Sequence, residues 1–254
     1  MIDIHSHILP NLDDGSPDLD HTAKVIADAV RHGVEAIFAT PHCCDGVYNC
    51  RKPDILSVWE NVFKVLGGKN PDIQVYPGAE IRVNHDLVKR FDDGDLLTMG
   101  DAGKFLLLEL PPMFIVNAVF QMIRQLRDRG IVPIIAHAER NPMILGRLDL
   151  AGELTSQGAV LQLTAGSLTG DFGKPELKTA RALVENDQVF CLGSDMHPGR
   201  KYQMKNARKK LLKWVGPQRT QALLTDNPRL ILKGVCSAGP AESPENSRLA
   251  GGHP

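Results

Sequence analysis

Seven short apolar runs recur along this chain, most of them four or five residues long, with helical spacing in between. They are Met1–Ile4, Ala36–Thr40, Ile73–Tyr76, Phe105–Leu108, Val132–Ala136, Val160–Thr164 and Val189–Leu192. Compact runs rich in β-branched and leucine residues are the pattern of parallel strands covered on both faces. Between them, Ser16-Pro17 predicts a helix start, followed by a stripe of Leu19, Ala23, Ile26 and Val30 that stops at Gly33. Val119, Met122, Ile123 and Leu126 form a second stripe ending at Gly130, and Leu177, Ala180 and Val184 a third. Seven βα units in succession predict an α/β fold, either a closed parallel barrel or an open doubly wound sheet. From Gly234 the composition turns to Gly, Pro, Ser, Glu and Asn, so Ser237–Pro254 reads as a disordered tail behind a single domain of residues 1–236.

The residues just after the strands are chemically selective. The first run leads to His5 and His7, with Asp14 in the loop beyond, and the second to His42. The third leads to Glu80, the fourth to Glu109, the fifth to His137, and the seventh to Asp195 and His197. Only the sixth, ending in Thr164-Ala165-Gly166, supplies no such group. Parallel barrels build active sites at these C-terminal strand ends. Side chains at i and i+2 of an extended chain share a face, so His5 and His7 can grip one ion, as can Asp195 and His197. Asp3, on the same side as His5, is a candidate partner behind the residues that grip the ion.

A first-row ion takes about four to six ligands, so nine candidates imply two or three divalent ions. Five of the nine histidines fall at strand ends, while His21, His32, His85 and His253 lie elsewhere and read as ordinary polar residues. With no thiolate in the set, manganese, iron or zinc fits. Asp14, Glu80, Glu109 and Asp195 bring four negative charges against six from three divalent ions, and the residual positive charge suits a phosphate and an activated water. Arg140, three residues beyond His137, is placed to fork onto phosphate oxygens, with Arg200 and Arg147 weaker candidates for the same role.

The formal net charge is −1, which offers no global field for nucleic acid or an anionic membrane. The Met-Ile-Asp-Ile-His start has no basic n-region, and no apolar run approaches the roughly 20 residues of a bilayer span. Five cysteines without a paired CxxC motif read as reduced thiols of a cytoplasmic protein.

The motif Asp3-Ile4-His5-Ser6-His7 resembles the opening of the PHP (polymerase and histidinol phosphatase) superfamily. The longer string from Met1 to Gly15 is more specific, and five further motifs join it: Ala39–His42, Gly78–Arg82, Ala136–Arg140, Thr164–Ser167 and Ser194–His197. Together they resemble the manganese-dependent tyrosine phosphatases of bacterial capsule and exopolysaccharide loci, collinearly over residues 1–233. That resemblance implies a distorted seven-stranded TIM-like barrel and a trinuclear site. It implies a first ion among His5, His7, Glu80 and Asp195, a second among Asp14, His42 and His197, and a third among Glu109, His137 and a bridging Glu80. Arg140, Asp14 and His42 would be catalytic, and Arg140 and Arg200 would contact the substrate. The substrate would be phosphotyrosine in a protein, typically the tail of a cognate bacterial tyrosine kinase. A phenolate leaving group, with its pKa near 10, needs little help from a general acid, so a metal-activated hydroxide is expected to attack directly. This chain departs from the family pattern at Cys43, where a second histidine is frequent, at Ala138, where proline is common, and in the short Pro198-Gly199-Arg200 stretch.

Three other readings use the same residues. A cysteine phosphatase needs a Cys-x5-Arg loop, whereas seven residues separate Cys43 from Arg51 and six separate Cys44 from it. A phosphatase for a small molecule such as histidinol phosphate would share the metal site. A non-catalytic metal-stabilised module would need only about four ligands. The most basic stretch, Arg200–Lys210, reads either as the solvated face of an amphipathic helix or as a docking surface for an acidic, tyrosine-rich tail.

Overall fold

Alternation along the strands sorts this protein's apolar residues into two layers. The computed structural model describes residues 1–43, 46–48, 50–66, 73–114 and 116–234. Its strands are β1 (Ile2–Asp3), β2 (Ala36–Ala39), β3 (His42–Cys43), β4 (Gln74–Pro77), β5 (Glu80–Arg82), β6 (Phe105–Glu109), β7 (Val132–Ile135), β8 (Val160–Thr164) and β9 (Val189–Gly193). The helices are α1 (Leu19–Arg31), α2 (Lys52–Leu66), α3 (Leu87–Asp92), α4 (Val116–Asp128), α5 (Pro142–Gly146), α6 (Asp149–Ser156), α7 (Ala165–Thr169), α8 (Lys174–Glu185), α9 (Met204–Gln221) and α10 (Asn227–Leu232). Ile2, Ile4, Phe38, Phe105, Leu107, Val132, Ile134 and Cys191 pack together in one cluster. Their strand neighbours Ile37, Leu106, Leu108, Ile135, Leu161 and Leu192 join the helices in the other. This period-two division is what a sheet wrapped by helices requires.

All strand pairs are parallel, in two sheets ordered β1-β2-β4 and β3-β5-β6-β7-β8-β9. Among the described residues, nine strand segments therefore stand where the apolar runs predict seven. The added breaks have local causes. Between β2 and β3 lies Pro41, which has no N–H to give to a ladder, and between β4 and β5 lies Gly78-Ala79 after Pro77. Ser6 and Met196 form a parallel bridge, flanked by Asp195 N–H donating to His5 O at 2.8 Å and His7 N–H donating to Met196 O at 3.1 Å. The first and last strands of the chain are thereby linked just beyond their C-terminal ends.

The three predicted helical stripes lie on α1, α4 and α8. The expected cap at Ser16 is displaced: Asp18 caps α1, its carboxylate accepting from His21 N–H at 2.7 Å. An acidic cap also faces the positive end of the helix dipole. The expected boundary at 236/237 and the tail that follows lie outside the described residues, as do Cys44, Cys236 and His253. No described helix is long and apolar enough to cross a membrane.

Candidate metal centre

Parity along the strands aims the chemistry inward. Cys43 and Ile81 belong to the layer under the helices, so their neighbours His42 and Glu80 face the opposite way. Phe105 and Leu107 face inward, and Glu109 continues their row. His137 follows the inward Ala136 and would turn outward by alternation alone. Its left-handed backbone, φ 33°, breaks the alternation and returns the ring to the site. Asp195 adopts the same region at φ 50°. Both are non-glycine residues in a conformation that folded proteins keep mainly where geometry demands it.

All nine predicted ligands converge. Glu80 is the centre: its Oε2 lies 3.2 Å from His5 Nε2, 3.2 Å from His7 Nε2 and 3.3 Å from His42 Nδ1. Its Oε1 lies 2.7 Å from His137 Nε2. Asp195 Oδ1 lies 3.7 Å from His5 Nε2, 3.6 Å from His7 Nε2 and 3.3 Å from His197 Nδ1. Asp14 Oδ1 lies 3.3 Å from His197 Nε2 and 3.8 Å from His42 Nε2. By distance, three groups could each hold a cation: His7, Asp14, His42 and His197; His5, His7 and Glu80; and His42, Glu80 and Glu109. His7 thus stands in two groups and His42 is the histidine beside Glu109, whereas the resemblance implies His137 there.

The donor set fits metal ions. His5 Nε2 and His7 Nε2 are 3.1 Å apart. Two nitrogens bound to one ion at about 2.1 Å, at angles between octahedral and tetrahedral, are separated by about 3.0–3.4 Å. His42 Nδ1 is buried without a hydrogen-bond partner, 3.9 Å from Glu109 Oε2, which Arg82 Nε also approaches at 2.9 Å, and a cation shared with Glu109 would satisfy it. Electrostatics agrees. Burial alone would pull the imidazole of His7 down, but Asp13 and Glu80 outweigh it and push its pKa up to about 10. Glu109 is raised by burial and by the neighbouring charge of Glu80. Burial alone would raise Glu80 and Asp195, but the charges of His5 and His137 outweigh it and hold both carboxyls below their usual range.

Around the ligands stand residues that the sequence reading missed. Asp13, beside the expected Asp14, accepts from His7 Nδ1 at 2.6 Å, from His42 N–H at 2.8 Å and from Gly15 N–H at 2.9 Å. Gln162, on the strand read as contributing nothing, sets its Oε1 3.2 Å from His5 Nδ1 and accepts from His137 N–H at 2.8 Å. A polar side chain inside the apolar run Val160–Thr164 was the available signal. Asp3 stands behind the candidate ligands and acts on the backbone, not on the rings. Its carboxylate accepts from His5 N–H, Ser194 N–H and the Tyr202 hydroxyl at 3.3, 2.7 and 2.6 Å, tying the backbone of β1 to the end of β9. Gly193 makes room there, since a Cβ would fall 2.5 Å from that of His5.

Arg140 and Arg200 both donate to Asp195 Oδ2, Arg200 at 2.8 Å, and both guanidiniums stack on the Phe172 ring, at 4.3 and 5.4 Å from its centroid. Arg147 is elsewhere: it is half exposed and paired with Asp149 and Glu153 at 3.0 and 2.8 Å, which removes it as a phosphate contact.

Comparison with known proteins gives the chain a family. The family profile for capsular polysaccharide synthesis proteins, CpsB/CapC, matches residues 1–233. The tyrosine-protein phosphatase YwqE of Bacillus subtilis is 36% identical over 239 residues, 92% of each chain. The tyrosine-protein phosphatase CpsB of Streptococcus pneumoniae is 28% identical, covering 91% of this chain and 98% of its own. A crystal structure from a study of YwqE and CpsB, described there as metal-dependent tyrosine phosphatases, superposes with a TM-score of 0.88 at 33% identity, covering 94% of this chain and 97% of the other. A histidinol phosphate phosphatase from Lactococcus lactis shares the fold at 12% identity and a TM-score of 0.55, covering 84% of this chain and 92% of its own. The chain belongs to the CpsB/CapC family of capsular polysaccharide synthesis proteins.

Proposed function

We propose that this protein is a metal-dependent phosphatase that hydrolyses phosphotyrosine in proteins, using two or three divalent ions with manganese the fitting choice. The observation that carries this reading is the convergence of His5, His7, His42 and His137 on one buried carboxylate, Glu80, beside the paired guanidiniums of Arg140 and Arg200. The ions would be held by His5, His7, Asp14, His42, Glu80, Glu109, His137, Asp195 and His197, and would supply Lewis acidity toward phosphate and an activated water. Arg140 and Arg200 bind the non-bridging phosphate oxygens, their planar heads steadied by Phe172. Asp14 Oδ1, 3.3 Å from His197 Nε2 and 3.8 Å from His42 Nε2, would share a cation with these two rings and His7. Asp13 and Gln162 fix the tautomers of His7 and His5 by occupying their Nδ1 positions. The departing phenolate, pKa near 10, takes its proton from water after leaving.

The thiols favour no covalent route. Cys43 is 1% exposed and its Sγ donates to Cys50 O, while Cys191 is fully buried and burial pushes its thiol up. The nine strand segments are read as a distorted seven-stranded barrel, supported by the Ser6–Met196 bridge. A protein of capsule synthesis, above all a bacterial tyrosine kinase in the cytoplasm, is the expected substrate, supported by the family and its named phosphatases.

The test is turnover of a phosphotyrosine peptide and of histidinol phosphate by metal-stripped protein reconstituted with manganese, iron or zinc. Activity on the peptide that depends on the ion supports the reading. No activity with any ion, or a preference for histidinol phosphate, defeats it, and chelator-insensitive turnover lost in Cys43→Ser would transfer the chemistry to a thiol.

A further inference from the structure

The helix α9 contains no acidic residue from Met204 to Gln221, yet carries Lys205, Arg208, Lys209, Lys210, Lys213 and Arg219. Arg219 is engaged by Asp187 at 2.6 Å and by Val189 O. The other five cations are exposed and, among the described residues, have no carboxylate within ion-pair distance. In a chain of net charge −1 this is a local excess of positive charge. The helix divides that charge between two faces. Lys205 and Arg208 look toward Met1 and His32, whereas Lys209, Lys210 and Lys213 line a groove of about 350 Å³ with Asn206, Gln203 and Thr169. One carboxylate, Asp171, borders the groove, and it is already bound to the Gln203 amide at 2.7 Å and the Thr169 hydroxyl at 3.2 Å.

Two residues of the groove, Asp171 and Gln203, are near neighbours in the chain of the residues around the arginine pair. Asp171 precedes Phe172, whose ring carries Arg140 and Arg200, and Arg200 and Gln203 belong to the segment leading into α9. A peptide whose phosphorylated residue reaches these arginines has its neighbouring residues beside the three lysines. We propose that this groove docks an acidic segment flanking the phosphorylated tyrosine of the substrate protein, an inference that rests on the phosphotyrosine reading above. Unpaired lysines at the rim attract carboxylates without desolvating a formed ion pair, so their contribution falls on encounter and KM and fades with salt.

The test compares three substrates: a phosphotyrosine peptide with an acidic flank, the same peptide with a serine and glutamine flank, and p-nitrophenyl phosphate. At low ionic strength the wild-type protein should show a KM about tenfold lower for the acidic flank, an advantage lost near 0.5 M salt. Lys209→Glu, Lys210→Glu and Lys213→Glu combined should abolish the preference and leave p-nitrophenyl phosphate turnover unchanged. The corresponding three Lys→Gln changes should have a smaller effect in the same direction. Equal KM for both flanks in the wild-type protein, or a preference that survives the reversal, overturns the proposal. Fluorescence anisotropy with the unphosphorylated acidic peptide separates the two readings. Lysine-dependent binding without turnover of any phosphotyrosine peptide keeps the groove and removes the proposed activity; turnover without flank preference does the reverse.

Discussion

Asp13→Asn removes one charge and one acceptor from a position that touches none of the reacting atoms. In the native protein the carboxylate satisfies three donors, His7 Nδ1, His42 N–H and Gly15 N–H, and its side chain is shut off from solvent. Because a carboxylate only accepts, Nδ1 of His7 keeps its proton, so the proton an arriving cation displaces is the one on Nε2, which faces Glu80 and His5. Asparagine cannot reproduce this. With its oxygen turned to His7 and His42, its NH2 meets the Gly15 N–H; turned the other way, it meets two donors. At least one buried donor loses its partner in either orientation, at about 1–3 kcal/mol. For a chain of this length that lowers Tm by roughly 2–12 °C. Loss of the orienting charge should weaken metal affinity by about 10- to 100-fold, or about 1.4–2.8 kcal/mol. Competition with a chelator of known affinity measures the second effect separately from the first. If Asp13→Asn melts early but binds metal as tightly as the wild-type protein, Asp13 is a fold residue only and the argument for tautomer control is wrong.

Two further outcomes follow from the same geometry. Stripping the ions should lower Tm by about 5–11 °C if they are present at 100 times their dissociation constant, since such binding contributes about 2.7 kcal/mol; calorimetry with and without chelator measures this, and coincident melts would contradict the metal fit. Gly193→Ala places a Cβ 2.5 Å from the Cβ of His5 and 3.1 Å from its backbone nitrogen, and should cost about 1–3 kcal/mol as well as activity. Gly146→Ala, in α5 with open space around it, is the control and should be neutral or stabilising by up to about 1 kcal/mol; equal melts for the two would refute the close approach.

Much of the site was legible because strand alternation is a local rule. His42, Glu80 and Glu109 each lie at the inward parity of a short strand, and His5 and His7 share a face as spacing i, i+2 requires. What lay in loops was not legible by that rule. Asp13 and Asp14 are adjacent and chemically equal in the sequence, and only the turn through Gly15, where a Cβ would collide with His7 O at 2.2 Å, decides which one meets His7. Arg140, Arg147 and Arg200 were similarly indistinguishable until the chain's path put two of them on Phe172 and one among surface carboxylates. Gln162 carries no charge and no metal-ligand signature in the sequence, although a lone amide in a buried strand has to find partners. The breaks at Pro41 and Pro77-Gly78 were visible in the letters; their effect on pairing depended on neighbours that periodicity does not name.

The same residues explain why folding and ion binding belong together here. His137 and Asp195 sit in left-handed backbone at a cost of about 1–3 kcal/mol each. They are held there by the bonds from His137 N–H to Gln162 and from Asp195 N–H to His5 O. Glu80 and Glu109 crowd like charge in a buried space, Arg82 pairs only with Glu109, and His42 Nδ1, facing the centre, has no hydrogen-bond partner. A site built for the ion-free state would relax each of these features. Four imidazoles drawn onto a single carboxylate, with strain kept to bring one of them there, are economical only if a cation completes the set. The burden of that arrangement falls on Glu80, which joins the groups of His5, His7 and His42. On the proposed function, the arginines at Asp195 would mark the side from which an anionic substrate meets the centre.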